Sequence, residues 1–212
     1  MTENIEVFKQ NSIRIKDGRH IIYIDPFEMD EEPRDASFIF ITHEHYDHFS
    51  PDDIAKVANA KTIMIVPEKM VKKAEALSNL VDSIVTVKPG VYHDIDGLEF
   101  ETVRAYNILK PFHPKGNEWV GYILHVDRQR IYIAGDTDAT QEAKAVRCDI
   151  AMVPIGGTYT MDAHKAADLV NTIRPEIAIP VHYGSVVGSY SDAEVFEKNV
   201  KDPIKVVKKI KP

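Results

Sequence analysis

"SFIFITHEHYDHFSPDD", residues 37–53, is the stretch on which the choice of fold class turns. Its first part, Ser37 to His43, is a nearly unbroken apolar run, the pattern of a strand buried on both faces. Its last part, Ser50-Pro51-Asp52-Asp53, reads as an N-cap, a proline at the first helical position and acids in the first turn, and predicts a helix to about Ala60. The segment between them, His43 to His48, holds three histidines and two acids, so the cluster lies in a strand-to-helix loop. A polar turn in which Asp47 or Ser50 caps the helix accounts for the acid and the serine, but not for three histidines at this spacing. His43 and His45 are two apart, so if the strand persists both imidazoles point to one side and can share an ion. Asp47 and His48 come next as the chain turns and offer a carboxylate and another imidazole to a second ion.

Working outward, "IEVF", "SIRI" and "HIIYID" are short β-type runs, and "KDGRH" between the last two carries an Asp-Gly hairpin signal, which predicts a meander. "KTIMIV" followed by "PEKMVKKAEALSNL" gives a strand and a helix. "SIVTV", "LEFETVRAY", "WVGYILHV" and "RIYIAGD" give further strands. "CDIAMVPIGG" precedes a helix at "MDAHKAADLVNTI", "EIAIPVHYG" is a strand, and "DAEVFEKNV" is a last amphipathic helix. Strands outnumber helices and the helices arrive in both halves. This favours an α+β fold of two mixed β-sheets packed face to face with helices on the outer faces. No linker or low-complexity segment interrupts residues 1–212, which are read as one domain.

The net charge of -7 supplies no broad basic surface for phosphate backbones, so no nucleic acid partner is expected. The single cysteine, Cys148, excludes thiolate-only zinc sites and fits a reducing cytoplasm. The first residues lack the pattern of a secretory signal, and no run is long enough to cross a bilayer, so a cytoplasmic protein without a membrane partner is expected. A homo-oligomer is compatible with these features.

Three more residues stand out, two of them where a strand pattern ends. Asp136 closes "RIYIAGD" after Gly135, and His182 closes "IAIPVH" before Gly184. Each alone would be a turn or capping residue, but strand ends converge on one edge in layered folds, where loops build sites. His113 sits in a loop between Pro111 and Pro114, which could hold an imidazole ready for a ligand at little entropic cost. His20 flanks a hairpin turn, His93 falls in a polar turn, His125 lies in a strand pattern and His164 on a helix surface, and none of these is read as a ligand.

The chain resembles the metallo-β-lactamase fold superfamily on these residues. Its His-x-His-x-Asp-His signature is matched by His43, His45, Asp47 and His48. Its later metal-binding aspartate is matched by Asp136 in "AGDTD" and its last histidine by His182 in "PVHYGS". The resemblance is closest to the small single-domain branch of UlaG-like metal-dependent hydrolases, which share an early strand ending like "IYIDPF". It departs at the middle motif, where the family places a histidine just after a strand and "FETVRAYN" ends in Asn107. Either Asn107 takes that place, or His113 reaches in, or the first ion has an altered shell. His45 stands where oxygen-reducing di-iron relatives carry glutamate, which argues against that chemistry.

The resemblance implies a four-layer αββα sandwich and a binuclear site. His43 and His45, with His113, would hold one ion; Asp47, His48 and His182 would hold the other; Asp136 would bridge. Two divalent ions, zinc first with manganese or iron as alternatives, would share a water whose lowered pKa makes hydroxide available as nucleophile, with Asp47 orienting it. The implied reaction is hydrolysis of a small ester, lactone or phosphodiester. A nuclease of the same fold and a non-catalytic metal or ligand sensor are the alternatives. Lys115, Tyr159 in the "GGTYT" loop, and Asn107 are the candidate substrate contacts, with a small anionic substrate as the expected partner.

Overall fold

The computed structural model describes residues 2–211, which fall into two compact units, one ending at Lys88 and the other beginning at Pro89. In the first, β1 (Ile5–Val7), β2 (Ile13–Lys16) and β3 (Ile21–Ile24) form the expected antiparallel meander, with Ile5 opposite Ile15 and Ile13 opposite Ile24. Gly18, at φ +81°, makes the tight turn between β2 and β3 that a side chain would resist. β4 (Phe38–Phe40), β5 (Ile63–Pro67) and β6 (Ser83–Val87) then add in parallel, giving a six-stranded mixed sheet in chain order. β4 is apolar at every position because it is flanked by strands on both sides and all three of its residues are buried.

β4 ends at Phe40, so the two-residue alternation that would align His43 with His45 along a strand does not apply. The next helix, α1 (Pro51–Val57), opens as expected, with the Ser50 side chain accepting from the Asp53 amide. It stops short of Ala60 because the residues beyond Val57 are drawn into another pattern. The Asn59 amide donates to Thr62 Oγ1, and its side chain donates to the carbonyls of Arg34 and Ala36. Ile54 and Val57 of α1 pack with Ile39, Ile41, Met64 and Val66 in one core cluster, each such burial contributing about 1.5–3 kcal/mol. The single helix expected over "PEKMVKKAEALSNL" is broken into a 3₁₀ turn at Glu68–Met70, one α turn, α2 (Val71–Ala74), and a second 3₁₀ stretch at Glu75–Leu80.

The second unit repeats this plan. β7 (Tyr92–Ile95), β8 (Leu98–Arg104), β9 (Val120–Val126) and β10 (Gln129–Ile133) form a meander. β11 (Ile150–Pro154), β12 (Ile177–Val181) and β13 (Lys205–Val206) come after it in parallel, completing a seven-stranded mixed sheet. β7 corrects the assignment of His93 to a turn. The residue lies in a strand, stacked on Phe100 at 4.9 Å, and the turn falls instead at Asp96-Gly97, where both φ values are positive. The helices are a single turn, α3 (Gln141–Lys144), then α4 (Ala163–Ile173) and α5 (Asp192–Asn199). Asp162 caps α4 by accepting from the Lys165 amide, and Ala166, Leu169, Val170 and Ile173 form its buried stripe.

In each unit the ligand-type residues leave the C-terminal ends of strands, His43 after β4, Asp136 after β10 and His182 after β12, the place where open sheets with parallel crossovers gather their binding residues. Among the described residues no helix is long and apolar enough to cross a membrane.

Candidate metal centre

In the first unit the loop leaving β4 is organised by Asp25, which stands at the end of β3. Asp25 is fully buried, and its backbone sits in the left-handed region at φ +44°, a conformation that Asp tolerates better than most residues but that still stores strain. Its Oδ1 accepts from the Thr42 amide at 2.8 Å, and its Oδ2 accepts from the Thr42 hydroxyl at 2.6 Å and from Asn11 Nδ2 at 2.7 Å. The same Oδ2 lies 2.7 Å from His48 Nδ1. A carboxylate accepts, so His48 carries its proton on Nδ1 and presents Nε2 as the ligating nitrogen, the usual arrangement of a metal-binding imidazole.

Thr42 passes the same constraint to His43. Its one hydroxyl proton goes to Asp25, so its oxygen accepts from His43 Nδ1 at 3.0 Å. His43 Nε2 is thereby turned toward His45, whose Nδ1 lies 3.0 Å away. The turn is closed by the amides of His48 and Phe49, which both donate to the His45 carbonyl. Asp47 Oδ2 stands 3.6 Å from His48 Nε2. The four side chains predicted from the signature are therefore gathered within one loop, with His43, Asp47 and His48 buried and His45 half-buried.

In the second unit three residues come together. Asp136, next to Gly135 at φ +62°, lies between two imidazoles: its Oδ2 is 3.2 Å from His113 Nε2 and its Oδ1 is 3.3 Å from His182 Nε2. His182 itself sits at φ +57°, a strained position for a non-glycine residue at the end of a strand. Gly156 allows the neighbouring loop to press on it, since a Cβ there would stand 2.4 Å from the His182 carbonyl oxygen. The ring of His113 rests against Trp119 at 5.5 Å, and its backbone carbonyl accepts from the Asn107 amide, closing the loop.

Asn107 and His113 take different places. His113 Nδ1 donates to Asn107 Oδ1 at 3.1 Å, while the Asn107 Nδ2 donates to the Tyr159 carbonyl at 3.1 Å. Asn107 thus orients the imidazole, and Nε2 of His113 is the nitrogen that faces Asp136. The loop is fastened from the other side by Asp138, which accepts from the Ile108 amide at 2.9 Å and from Lys110 Nζ at 2.7 Å and donates its own amide to the Tyr106 carbonyl. Lys115, expected to face an anionic substrate, turns to Glu142 at 3.1 Å and to the Tyr106 hydroxyl at 3.3 Å. Hydrogen bonds to those two groups raise the Lys115 ammonium above its ordinary range. Burial alone would raise the Glu142 carboxyl, but its own backbone amide, Lys115 and Tyr106 hold it below the usual range.

The donor set fits a divalent transition ion. It consists of imidazole nitrogens and carboxylate oxygens, buried or half-buried, with Nδ1 of His43, His48 and His113 engaged by Thr42, Asp25 and Asn107 so that each Nε2 is aimed away from its support. Each of the seven predicted ligands belongs to a candidate His/Asp metal-binding group. Asp25, Thr42, Asn11 and Asp138 support the site without being legible as site residues. The only signal for Asp25 is its place before Pro26 at the end of "IYIDPF", and for Asp138 the second acid of "GDTD".

A family model described as a beta-lactamase superfamily domain matches residues 4–182. A UPF0173 metal-dependent hydrolase from Symbiobacterium thermophilum is 28% identical over 212 residues, covering 93% of this chain and 92% of its own. A UPF0173 protein from Pyrococcus furiosus is 33% identical over 192 residues, covering 88% of this chain and 85% of its own. Among solved structures, one from Parabacteroides distasonis superposes with a TM-score of 0.80 at 30% identity, covering 98% of this chain and 93% of that one. The metallo hydrolase Igni18 from Ignicoccus hospitalis superposes with a TM-score of 0.74 at 19% identity, covering 98% and 95%, which shows the shared fold.

Proposed function

We propose that this chain, which belongs to the beta-lactamase superfamily and has its α+β fold of two mixed sheets, is a metal-dependent hydrolase whose seven ligand-type residues serve one binuclear centre. The observation that carries the reading is Asp136, whose two carboxylate oxygens lie 3.2 and 3.3 Å from the Nε2 atoms of two different histidines. In this reading His43, His45 and His113 hold one ion, Asp47, His48 and His182 hold the other, and Asp136 serves both.

Divalent ions, zinc by the preference of a mixed imidazole and carboxylate set, with manganese or iron as alternatives, supply Lewis acidity toward the scissile group and lower the pKa of water. The chain supplies the rest. The Asp47 carboxylate, 3.6 Å from His48 Nε2, would orient the attacking water while also serving as a ligand. Asp25 and Asn107 keep the His48 and His113 imidazoles in one tautomer and one orientation, so the ligand nitrogens need no rearrangement during turnover. The substrates are small esters, lactones or phosphodiesters. The names of relatives that are metal-dependent hydrolases support the reaction class.

The test is turnover of p-nitrophenyl acetate and of bis(p-nitrophenyl) phosphate by protein loaded in turn with zinc, manganese and iron, with metal content measured on the same samples. Two ions per chain and metal-dependent hydrolysis are expected. Full metal content without turnover on any ester would overturn the hydrolase reading in favour of a metal sensor, and a single ion at saturation would remove the binuclear part.

A further inference from the structure

We infer that the hydrolase reading, on which this inference rests, is to be narrowed to neutral substrates with an apolar acyl or alcohol part, and that Phe112 and Tyr159 form the pair that selects them. Single exposed apolar residues on a protein surface need no explanation. The loop that carries His113 is different. Ile108 is 58% exposed, Leu109 94% and Phe112 42%, and Tyr159, fastened to the same loop, is 36% exposed. Four large apolar side chains on one short loop and its neighbour are the composition of a binding surface.

Two of them are built into a fixed platform. The rings of Phe112 and Tyr159 meet edge to face with centroids 4.8 Å apart, a geometry that favours aromatic pairs. Phe112 is bonded to His113, and the Tyr159 carbonyl accepts from the same Asn107 side chain that orients the His113 ring. The Tyr159 loop is closed at its base by pairing of Gly156 with Asp162 and by the Gly157 amide donating to the Met161 carbonyl. The platform and the metal-facing imidazole are therefore set by one carboxamide, so an apolar group resting on the rings is placed relative to the His113 nitrogen.

The charges of the segment point the same way. Lys110 is held by Asp138 and by the Thr160 carbonyl, Lys115 by Glu142, and Arg104 stands 3.8 Å from Glu118 while donating to the Lys115 carbonyl. Each cation of residues 104–118 has a carboxylate at hand, so an anionic substrate would have to displace one. A phosphodiester would have to compete with these carboxylates for the cations of residues 104–118, whereas an uncharged carboxylic ester or lactone needs only the apolar surface.

The experiment uses the full chain loaded with zinc and the series p-nitrophenyl acetate, butyrate and hexanoate, with bis(p-nitrophenyl) phosphate as the charged comparison. kcat/KM is expected to rise along the series, by at most about fourfold per methylene that becomes fully buried, and the phosphodiester is expected to be the poorest substrate. Phe112→Ala and Tyr159→Ala should each lower the hexanoate value by about tenfold and the acetate value much less, while Phe112→Leu should keep most of the chain-length preference. A readout without turnover comes from Trp119, the one tryptophan of the chain, whose ring lies against His113. 1-Hexanol should change its emission in the wild type and not in Phe112→Ala. Turnover without chain-length preference would overturn the inference. So would a change of sedimentation from dimer to monomer on Phe112→Ala, which would make the rings a contact between copies. If no ester is turned over at full metal content but hexanol still acts on Trp119, the apolar site stands and the hydrolase reading falls.

Discussion

Asp25 Oδ2 lies 2.7 Å from His48 Nδ1, and both side chains are fully buried. They are 23 positions apart in sequence, yet this contact decides which nitrogen of His48 is offered to an ion. Asp25→Asn keeps the shape but removes the carboxylate charge, and it should weaken metal binding by about 10–100-fold, as loss of a histidine's supporting partner does elsewhere. Competition with a calibrated chelator measures it. Unchanged affinity, with the fold intact by circular dichroism, would show that Thr42 alone orients the loop.

Asp136 and His113 should separate from Asn107 by metal content. Asp136→Ala and His113→Ala are expected to lose at least one ion per chain by elemental analysis while the protein remains folded, because bound metal adds to stability but a core of this size does not depend on it. Asn107→Ala should retain both ions and lose affinity only modestly, since its carboxamide orients His113 rather than replacing it. Loss of an ion in Asn107→Ala with full metal in His113→Ala would exchange their roles.

The Lys110 and Asp138 pair should act as a clamp on the loop that carries His113. Its side chains are 24% and 13% exposed, so solvent screens it only in part. A double-mutant cycle with Lys110→Met and Asp138→Asn should give a coupling of about 0.5–3 kcal/mol. Lys110→Arg should restore most metal affinity lost in Lys110→Met. Additive effects on stability, together with unaltered metal affinity in all variants, would reduce the pair to a surface contact.

Asp53 predicts a pH dependence. Burial alone would raise its carboxyl, but hydrogen bonds from Lys56, Ser50 and the amides of Met29 and Glu28 outweigh that and hold it below the ordinary range. A pKa lower in the folded than in the unfolded chain means that the unfolded state binds more protons in that window, so stability rises with pH. The contribution is full above about pH 4, near the unfolded value, and is lost as pH falls through the folded one. Asp53→Asn should therefore be less stable than wild type by about 1.5–3 kcal/mol at pH 7, and the gap in urea unfolding should narrow by pH 3. A gap that widens on acidification would refute the assignment.

Much of the fold is legible because its signals are local. The Ser50 cap and Pro51 that open α1, the hairpin at Asp17-Gly18 and the apolar run of β4 depend on neighbours a few residues away, which a short window of sequence contains. Where the local signal misleads, a distant partner intervenes. α1 stops early because Asn59 is taken up by Arg34 and Ala36.

The site divides along the same line. The kinds of donor, imidazoles and carboxylates at strand ends, are given by residue identity and spacing alone. The direction of each donor is decided only in three dimensions: His48 by Asp25, His113 by Asn107 so that Nε2 faces Asp136, and Lys115 by a glutamate 27 positions later. A side chain's identity is a property of one position, whereas its tautomer, rotamer and charge partner are properties of the pair, and the chain brings the pair together only when it folds.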